Sequence, residues 1–567
     1  MIKKWMWVGP LSIISTGVVV GAVVGGYISN QNSDPYRLYS AVPTGSSNTN
    51  LIQTYFASIV NGSKLLMLPG YTHTIPLTQA LGVTKESNKP MYNYMNKAGF
   101  VLLDDSYGVP IFNDENQVDN SVIQPVWSTQ VASMKFRTDL GSFLTGIAVA
   151  EFLNEYQYYF APNEGDKLTW ATYGGATFSS VTGYMGGLQR GIRWFNENIV
   201  PGNITEDGRP FKEVEQVFLG DTVNSNFANG FGATDGNQLI TNFLQKNVNL
   251  LVPVAGTQTQ QAVRLINQLK KRTIVLGVDT AAEDDTNTNL SLSTPGYETI
   301  NGSKEIGGTN KIVQFSSLKK LDVAGSKIMQ NIDEGIEEPV GDSTIGGFGY
   351  QSLGTTNNDC VGVSPAGYPY FIKAIDRYQE KNNPKIKSIE TLNEQELTNA
   401  YKNAVSVIEK TDYFQSLNEP ENKVYYAYPN WKDGEKYDDK KSWSYADLPN
   451  QGSEMMPLNI NELPEWFKSY YSLSSVDINQ WSQEYQTRYY SLIKWFNDNE
   501  QEINIRKEFN LKGELTKENY EKDKSLIKVV TNSPDTPLLD KSFAQTTYMG
   551  LVEYWKKQGI NLPIPKG

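Results

Sequence analysis

Several apolar runs in this chain end on a polar residue, and those positions are the ones whose types and placement could do chemistry. Asp104 lies at the end of GFVLLDD, Asp279 at the end of IVLGVD, Lys319 in the run SSLKK, and Asn532 at the end of IKVVTN. Ligands of open parallel sheets bind beyond the carboxyl ends of the strands, so strand-end carboxylates, amides and ammonium groups are candidates for holding a small polar molecule. The same residues also have structural readings: Asp104 or Asp279 could cap the following helix, and Lys319 could be a surface charge. A catalytic set is not visible. The single histidine, His73, argues against a His-rich metal site and against a Ser-His-Asp arrangement unless His73 is itself the base. In LPGYTHTIPL it reads as a loop or ligand-mouth residue. The single cysteine, Cys360, rules out an internal disulfide and a thiolate metal cluster, and reads as a packed small thiol. No cofactor is implied, and an enzyme is not expected.

The elements that must position these residues alternate strand and helix. RLYSAVP, SKLLMLPGY (63 to 71), GFVLLDD (99 to 105), SMKFRTD (133 to 139), LTWATYGG (168 to 175), VEQVFLGD, VNLLVPVAG, RTIVLGVD and KIVQFSSLKK read as strands. Helices are expected after Asn50, at 75 to 81, 141 to 156, up to Asn198, near 234 to 246 and 258 to 269, and over DVAGSKIMQNIDEG. Nearly continuous apolar strands alternating with helices predict parallel sheets covered on both faces. With 567 residues, two or three domains are expected. Fifty basic and 62 acidic side chains give a net charge of -12, which disfavours nucleic acid as a partner.

Lys3 and Lys4 precede an uncharged apolar stretch, Trp5 to Ile28, long enough to cross ~30 Å of hydrocarbon. The segment 1–29 therefore reads as a transmembrane anchor or signal segment, with the bulk of the chain outside the cell membrane. No cysteine lies in or just after it. Gly17, Gly21 and Gly25 have a spacing that lets two membrane helices approach closely. Residues 370–525, rich in Lys, Glu, Asn, Tyr and Trp, read as a helical insert, with helices at 393 to 410 and 476 to 500. There Trp481, Tyr485, Tyr489, Leu492, Trp495 and Phe496 share one helical face, either a packing surface or one that binds a sugar or partner.

LLMLPGY, GFVLLDD, MKFRTDLGSFLTG, TYGGATFSSVTGYMGGLQRGI, VNLLVPVAG, IVLGVD and SSLKKLDVA, in that order and spacing, resemble the basic membrane protein family of nucleoside-binding ABC-transporter lipoproteins, often called PnrA-like. The resemblance covers about 37 to 365 and lacks only the family's first strand-helix unit. IKVVTN, then Asp540, Lys541, Ser542 and Phe543, then the helix to Lys557, resemble that unit at the opposite end of the chain. Ser542 with Gln545 is a capping-box pattern, and Tyr548, Leu551, Val552 and Trp555 make an apolar stripe. In a doubly wound sheet of order 2-1-3-4-5 the first strand is interior, so a lobe without it would have unpaired backbone. A circularly permuted domain is expected, 30–365 completed by 526–567. Exchange of the unit between two copies, a homodimer, is compatible with the same pattern.

The resemblance implies a two-lobed α/β periplasmic-binding-protein-like (type I) fold with parallel doubly wound sheets, the strand ends of both lobes gathered at one cleft. It implies a nucleoside-like ligand, delivered to an ABC permease, and ligand-binding positions at Asn532, Phe543, Asp104, Gly256, Asp279 and Lys319. Phe543 would stack on a base, Asp279 would accept from sugar hydroxyls, and Lys319 would donate to the ligand or to Asp279. The second stacking aromatic falls at Phe227 or Phe231. The chain departs from the family where Asn532 replaces an acid, Ala544 an Asn and Thr257 the second Gly of A-G-G. The alternative is a surface interaction or adhesion scaffold that keeps the fold and uses the aromatic insert to contact a protein or glycan.

Overall fold

The computed structural model describes residues 36–417 and 511–565, apart from short internal stretches, the longest of which are 82–88, 113–117, 293–305, 337–344, 380–388 and 533–542. In chain order the first elements are β1 (Ser40–Ala41), α1 (Asn48–Val60), β2 (Leu65–Pro69), α2 (Thr74–Leu81), α3 (Lys89–Met95), β3 (Gly99–Leu103), the hairpin β4 (Gly108–Phe112) and β5 (Val118–Pro125), and β6 (Val131–Phe136). Next come α4 (Thr138–Glu155), α5 (Gln157–Phe160), β7 (Leu168–Gly174), α6 (Ser179–Asn198), β8 (Val214–Gln216), α7 (Asn237–Gln245), β9 (Leu250–Val254), α8 (Gln258–Leu269), β10 (Ile274–Asp279) and β11 (Val313–Lys319). The last are α9 (Leu321–Glu334), β12 (Gln351–Gly354), β13 (Val361–Val363), α10 (Tyr368–Gln379), α11 (Glu394–Glu409), α12 (Asp412–Ser416), α13 (Lys517–Lys522), β14 (Ile527–Val530) and α14 (Phe543–Lys557). The described residues divide into two compact units: those within 36–135, 321–354 and 511–565 form the first, and those within 136–320 and 355–417 the second.

The first unit is built on a six-stranded sheet of order β1-β14-β2-β3-β6-β12. The strand from the far end of the chain lies in its interior. Val529 and Val530 pair with Ser40 and Ala41 on one side, and Ile527 to Val529 pair with Leu65 to Met67 on the other, all parallel. Lys64 N–H donates to the Leu526 carbonyl at 2.8 Å, and Val529 N–H to that of Tyr39 at 2.8 Å. Ile527, Val529 and Val530 are fully buried, as expected for a strand covered on both faces. The helix that follows, α14, packs on α9, where Gly550 admits close approach because a Cβ there would meet the Asp322 backbone. Tyr548 donates to the Pro563 carbonyl at 2.8 Å, and Trp555 stacks on Tyr520 of α13 at 4.1 Å between ring centroids. The Ser542 hydroxyl expected to cap α14 lies outside the described residues.

The second unit repeats the plan with the order β13-β11-β10-β9-β7-β8, parallel except for β13 against β11. Its helix α4 is buried along its length, and α6 lies against it with backbones nearly touching. A Cβ on Gly191 would collide with the Phe143 carbonyl, and one on Gly187 with that of Asp139, so the small residues of GYMGGLQRG set this approach.

One expectation needs adjustment. The segment over 370–417, expected within a separate insert, belongs to the second unit. Phe371 and Ile375 of α10 are buried, Arg377 pairs with the buried Glu151 at 2.9 Å, and Tyr401 of α11 stacks on Tyr368 and accepts from Val363 N–H at 3.1 Å. The aromatic face from Trp481 to Phe496 and the anchor over 1–29 lie outside the described residues. Among the described residues no helix is long and apolar enough to cross a membrane. Cys360 is free and buried, a packed thiol.

Candidate functional site

At the carboxyl edge of the first unit's sheet, β14, β2 and β3 end side by side. Asn532 follows β14 by two residues, Gly70 follows β2, and Asp104 follows β3. Gly70 has φ +105°, and a Cβ placed on it would stand 3.0 Å from Asn532 Nδ2 and 3.3 Å from the Phe543 ring. The bare backbone at Gly70 thus lets the amide and the aromatic ring meet over the end of β2. Gly70 N–H donates to the Leu103 carbonyl at 2.8 Å, which places Asp104 beside the same spot. Asp104 is buried, its N–H donates to the Met134 carbonyl at 2.9 Å, and its φ of +82° is one that non-glycine residues rarely adopt. Asn532, Phe543 and Asp104 are therefore brought together, around a glycine that the sequence reading did not single out.

In the second unit Asp279 closes β10 with φ +69°, again left-handed. Lys319 Nζ lies 2.9 Å from its Oδ1 and 5.5 Å from the centre of the Tyr184 ring. Lys319 is buried (3 % exposed) while Asp279 keeps 26 % of its side chain open, so the pair presents its acid outward. Left-handed residues also occur here at ordinary helix ends, such as Lys270 after α8. Asp104 and Asp279 differ in standing at the ends of strands, Asp104 just after β3 and Asp279 as the last residue of β10. Gly256, after β9 and before α8, is exposed with φ +59° and open space around its missing Cβ. Phe227 is buried, its ring filling the place of side chains absent at Gly174, so it is core. Phe231 is half-buried over Gly175 and is the more accessible ring.

His73 is not a mouth residue. It is fully buried in a 3-10 turn after β2, with Nδ1 2.7 Å from the hydroxyl of the equally buried Tyr55. Burial lowers its pKa to about 3, against a smaller opposing effect from Asn532 and the Val530 backbone. The imidazole is accordingly neutral at physiological pH. Because the folded state resists this protonation, the resulting stability is complete above about pH 6.5 and is lost as pH falls toward 3, at about 1.4 kcal/mol per pH unit. The urea-unfolding gap between the wild type and His73→Gln should narrow at that rate between about pH 6.5 and pH 5. A gap that is flat over this range would contradict the burial of a neutral ring.

Sequence reasoning also missed Thr74, which donates to Asp105 at 2.8 Å beside Asp104, and Glu283, a buried acid whose pKa burial raises against hydrogen bonds from Ser316 and Ser364. No spacing rule links Tyr55 to His73 or Glu283 to Ser316. Among the described residues no group of His, Cys, Asp and Glu could hold a metal ion.

These features define the class: an α/β protein of two units, each with a largely parallel six-stranded sheet carrying polar groups at its strand ends. No family model matches the chain. Over 318 residues it is 30% identical to "Uncharacterized lipoprotein MG040" of Mycoplasma genitalium, covering 49% of this chain and 51% of that protein. Over 363 residues it is 28% identical to "Uncharacterized lipoprotein MG040 homolog" of Mycoplasma pneumoniae, covering 56% and 53%. The chain thus spans about half the length of the curated relatives it matches. Among solved structures it is similar to "Crystal structure of ABC transporter system solute-binding proteins from Aeropyrum pernix K1", with TM-score 0.33, 15% identity and coverage of 65% of this chain and 77% of that one. At that score the likeness carries no argument about the ligand.

Proposed function

We propose that this protein is a membrane-attached substrate-binding protein that captures a small polar, nucleoside-like ligand for an ABC permease and catalyses no reaction. The observation that carries the reading is the seat of β14 inside the first unit's sheet, which brings Asn532 and Phe543 to the strand end at Gly70, beside Asp104. An amide, an aromatic ring and an acid at one sheet edge suit a planar heterocycle with polar substituents. The Asp279–Lys319 pair offers a second set, an acid suited to hydroxyls. The order of the two sheets, each with its second strand at the edge beside its first, agrees with a circularly permuted type I binding-protein fold of the basic membrane protein kind. The curated relatives carry the word lipoprotein in their names. In this reading the apolar segment Trp5–Ile28 attaches the chain to the membrane.

A thermal-shift and calorimetric screen of the full chain against the common nucleosides tests this. A true ligand at about 100 times its Kd should add about 2.7 kcal/mol of stability. Phe543→Ala should then weaken binding roughly 10- to 100-fold, the value of one base–aromatic stack. No response to any nucleoside, or a response indifferent to Phe543→Ala, would leave the scaffold alternative standing.

A further inference from the structure

We propose that His73 is a positioning residue that fixes which hydrogen-bonding group Asn532 shows to the ligand, so that the ligand presents an acceptor there, such as an oxo group, and not an amino group. The location of the ligand rests on the reading given above; the role of His73 rests on buried polar atoms. The Tyr55 hydroxyl is fully buried, and its one hydrogen-bond partner among the described residues is His73 Nδ1 at 2.7 Å. For that hydroxyl to donate, Nδ1 must be bare, and the single proton of the neutral ring then sits on Nε2. Nε2 and Asn532 Oδ1 are both buried and lack a partner in strict hydrogen-bond geometry. Asn532 is nonetheless close enough to act on the protonation of the ring. The Val530 backbone acts on the ring in the same sense but less strongly, so Nε2–H has two acceptors to choose from, and a small rotation of the amide brings the buried Asn532 Oδ1 onto it. The amide is already turned that way, because Nδ2 is nearer than Oδ1 to the bare side of Gly70, at 3.0 and 3.7 Å.

With Oδ1 held inward by Nε2–H, the outward group beside Phe543 is an NH2, which donates only. An acid at this position would accept instead, so the amide together with the buried histidine sets the hydrogen-bonding polarity of the site. A ligand with an oxo group there gains a bond, and one with an amino group sets donor against donor and leaves both unpaired.

The test has two independent readouts. His73 is the only histidine, so selective 15N-histidine labelling of the full chain gives one pair of ring signals. Protonation at Nε2 is expected, and a proton on Nδ1 overturns the proposal whether or not any ligand is known. The second readout is calorimetric comparison of inosine with adenosine and uridine with cytidine. The oxo member should bind at least about tenfold tighter, Asn532→Asp should reverse the order, and His73→Leu should bring the ratio toward one. His73→Gln, whose amide can donate in place of Nε2–H, should restore it and serves if the leucine variant fails to fold. A ratio unchanged in a folded His73→Leu protein shows a merely structural histidine and overturns the proposal, as does a wild-type preference for adenosine and cytidine. Absence of binding by all four nucleosides is a different failure: it removes the nucleoside reading, and the ligand half of the proposal with it, while the tautomer result still decides the role of His73.

Discussion

Ending the chain after Lys524 is expected to abolish cooperative melting of the first unit while leaving the second unit's transition in place. The deletion takes β14 from between β1 and β2, so the backbone groups of Tyr39, Ala41 and Lys64 lose their partners in the middle of a covered sheet. It also removes Ile527, Val529, Val530, Tyr548, Leu551 and Trp555 from the core. Side chains of this kind contribute about 1.5–3 kcal/mol each when buried, and together they match or exceed the ~5–15 kcal/mol by which a domain is stable. The second unit contains none of these residues. Differential scanning calorimetry of the two chains checks this, and a first unit that still melts cooperatively without residues 525–567 would show that its sheet closes some other way. The swapped arrangement, in which a second copy supplies the strand, predicts the same loss with rescue by an added copy of the missing segment.

Replacing Asp279 by Ala should destabilise the second unit by roughly 2–4 kcal/mol, somewhat less than the loss of a partner from a fully buried pair because the acid is partly open to water. Two effects act together. The substitution takes a carboxylate from 2.9 Å of a buried ammonium, and it asks alanine to hold φ +69°, which costs about 1 kcal/mol. The two can be separated by urea unfolding of three further variants. Asp279→Gly relieves the backbone and keeps the electrostatic loss. Asp279→Asn tolerates the left-handed conformation and removes the charge. Lys319→Met made together with Asp279→Ala removes both charges and should recover a large part of the stability. A single Asp279→Ala variant within about 0.5 kcal/mol of wild type would show that the pair does not secure this strand end. Should the stability fall as expected, ligand affinity must be measured well below the variant's unfolding midpoint, so that lost binding is not lost folding.

Much of the architecture was readable along the chain because a covered parallel strand leaves a plain signal. The helix expected near 258 to 269 has the bounds the structure shows, and RTIVLGVD gives a strand that ends as expected at Asp279 but starts two residues later, at Ile274, since apolar stripe and apolar run each coincide with one element. The edge strand β1 is shorter than its sequence run, because only Ser40 and Ala41 meet the ladder of β14. The segment 370–417 was misread for a physical reason. Helices that bury one face carry as many Lys, Glu and Asn on the other as any insert would, and composition cannot tell which face is covered.

The site was legible only in part. Asp104, Asp279, Lys319 and Asn532 follow or close apolar strands, and a strand's end is where side chains become available in an open sheet. The choice between Phe227 and Phe231 was not legible, because it turns on which ring lies against Gly174 and which over Gly175.

The sequence by itself determined the alternation of the sheet strands with most of the helices, though not α3 or the hairpin β4–β5, together with the lack of a histidine cluster or a disulfide framework and the candidate positions at strand ends. These follow from local properties: apolar periodicity, residue counts, and the rule that strands expose polar groups where they stop. Only the tertiary structure decided that Asp104 and Asp279 take left-handed backbones, that His73 is sealed against Tyr55, and that Gly70 is the point where Asn532 and Phe543 meet. Each of those depends on groups far apart in the chain meeting at a distance of a few ångströms, and pairings of that kind leave no period in the sequence to read.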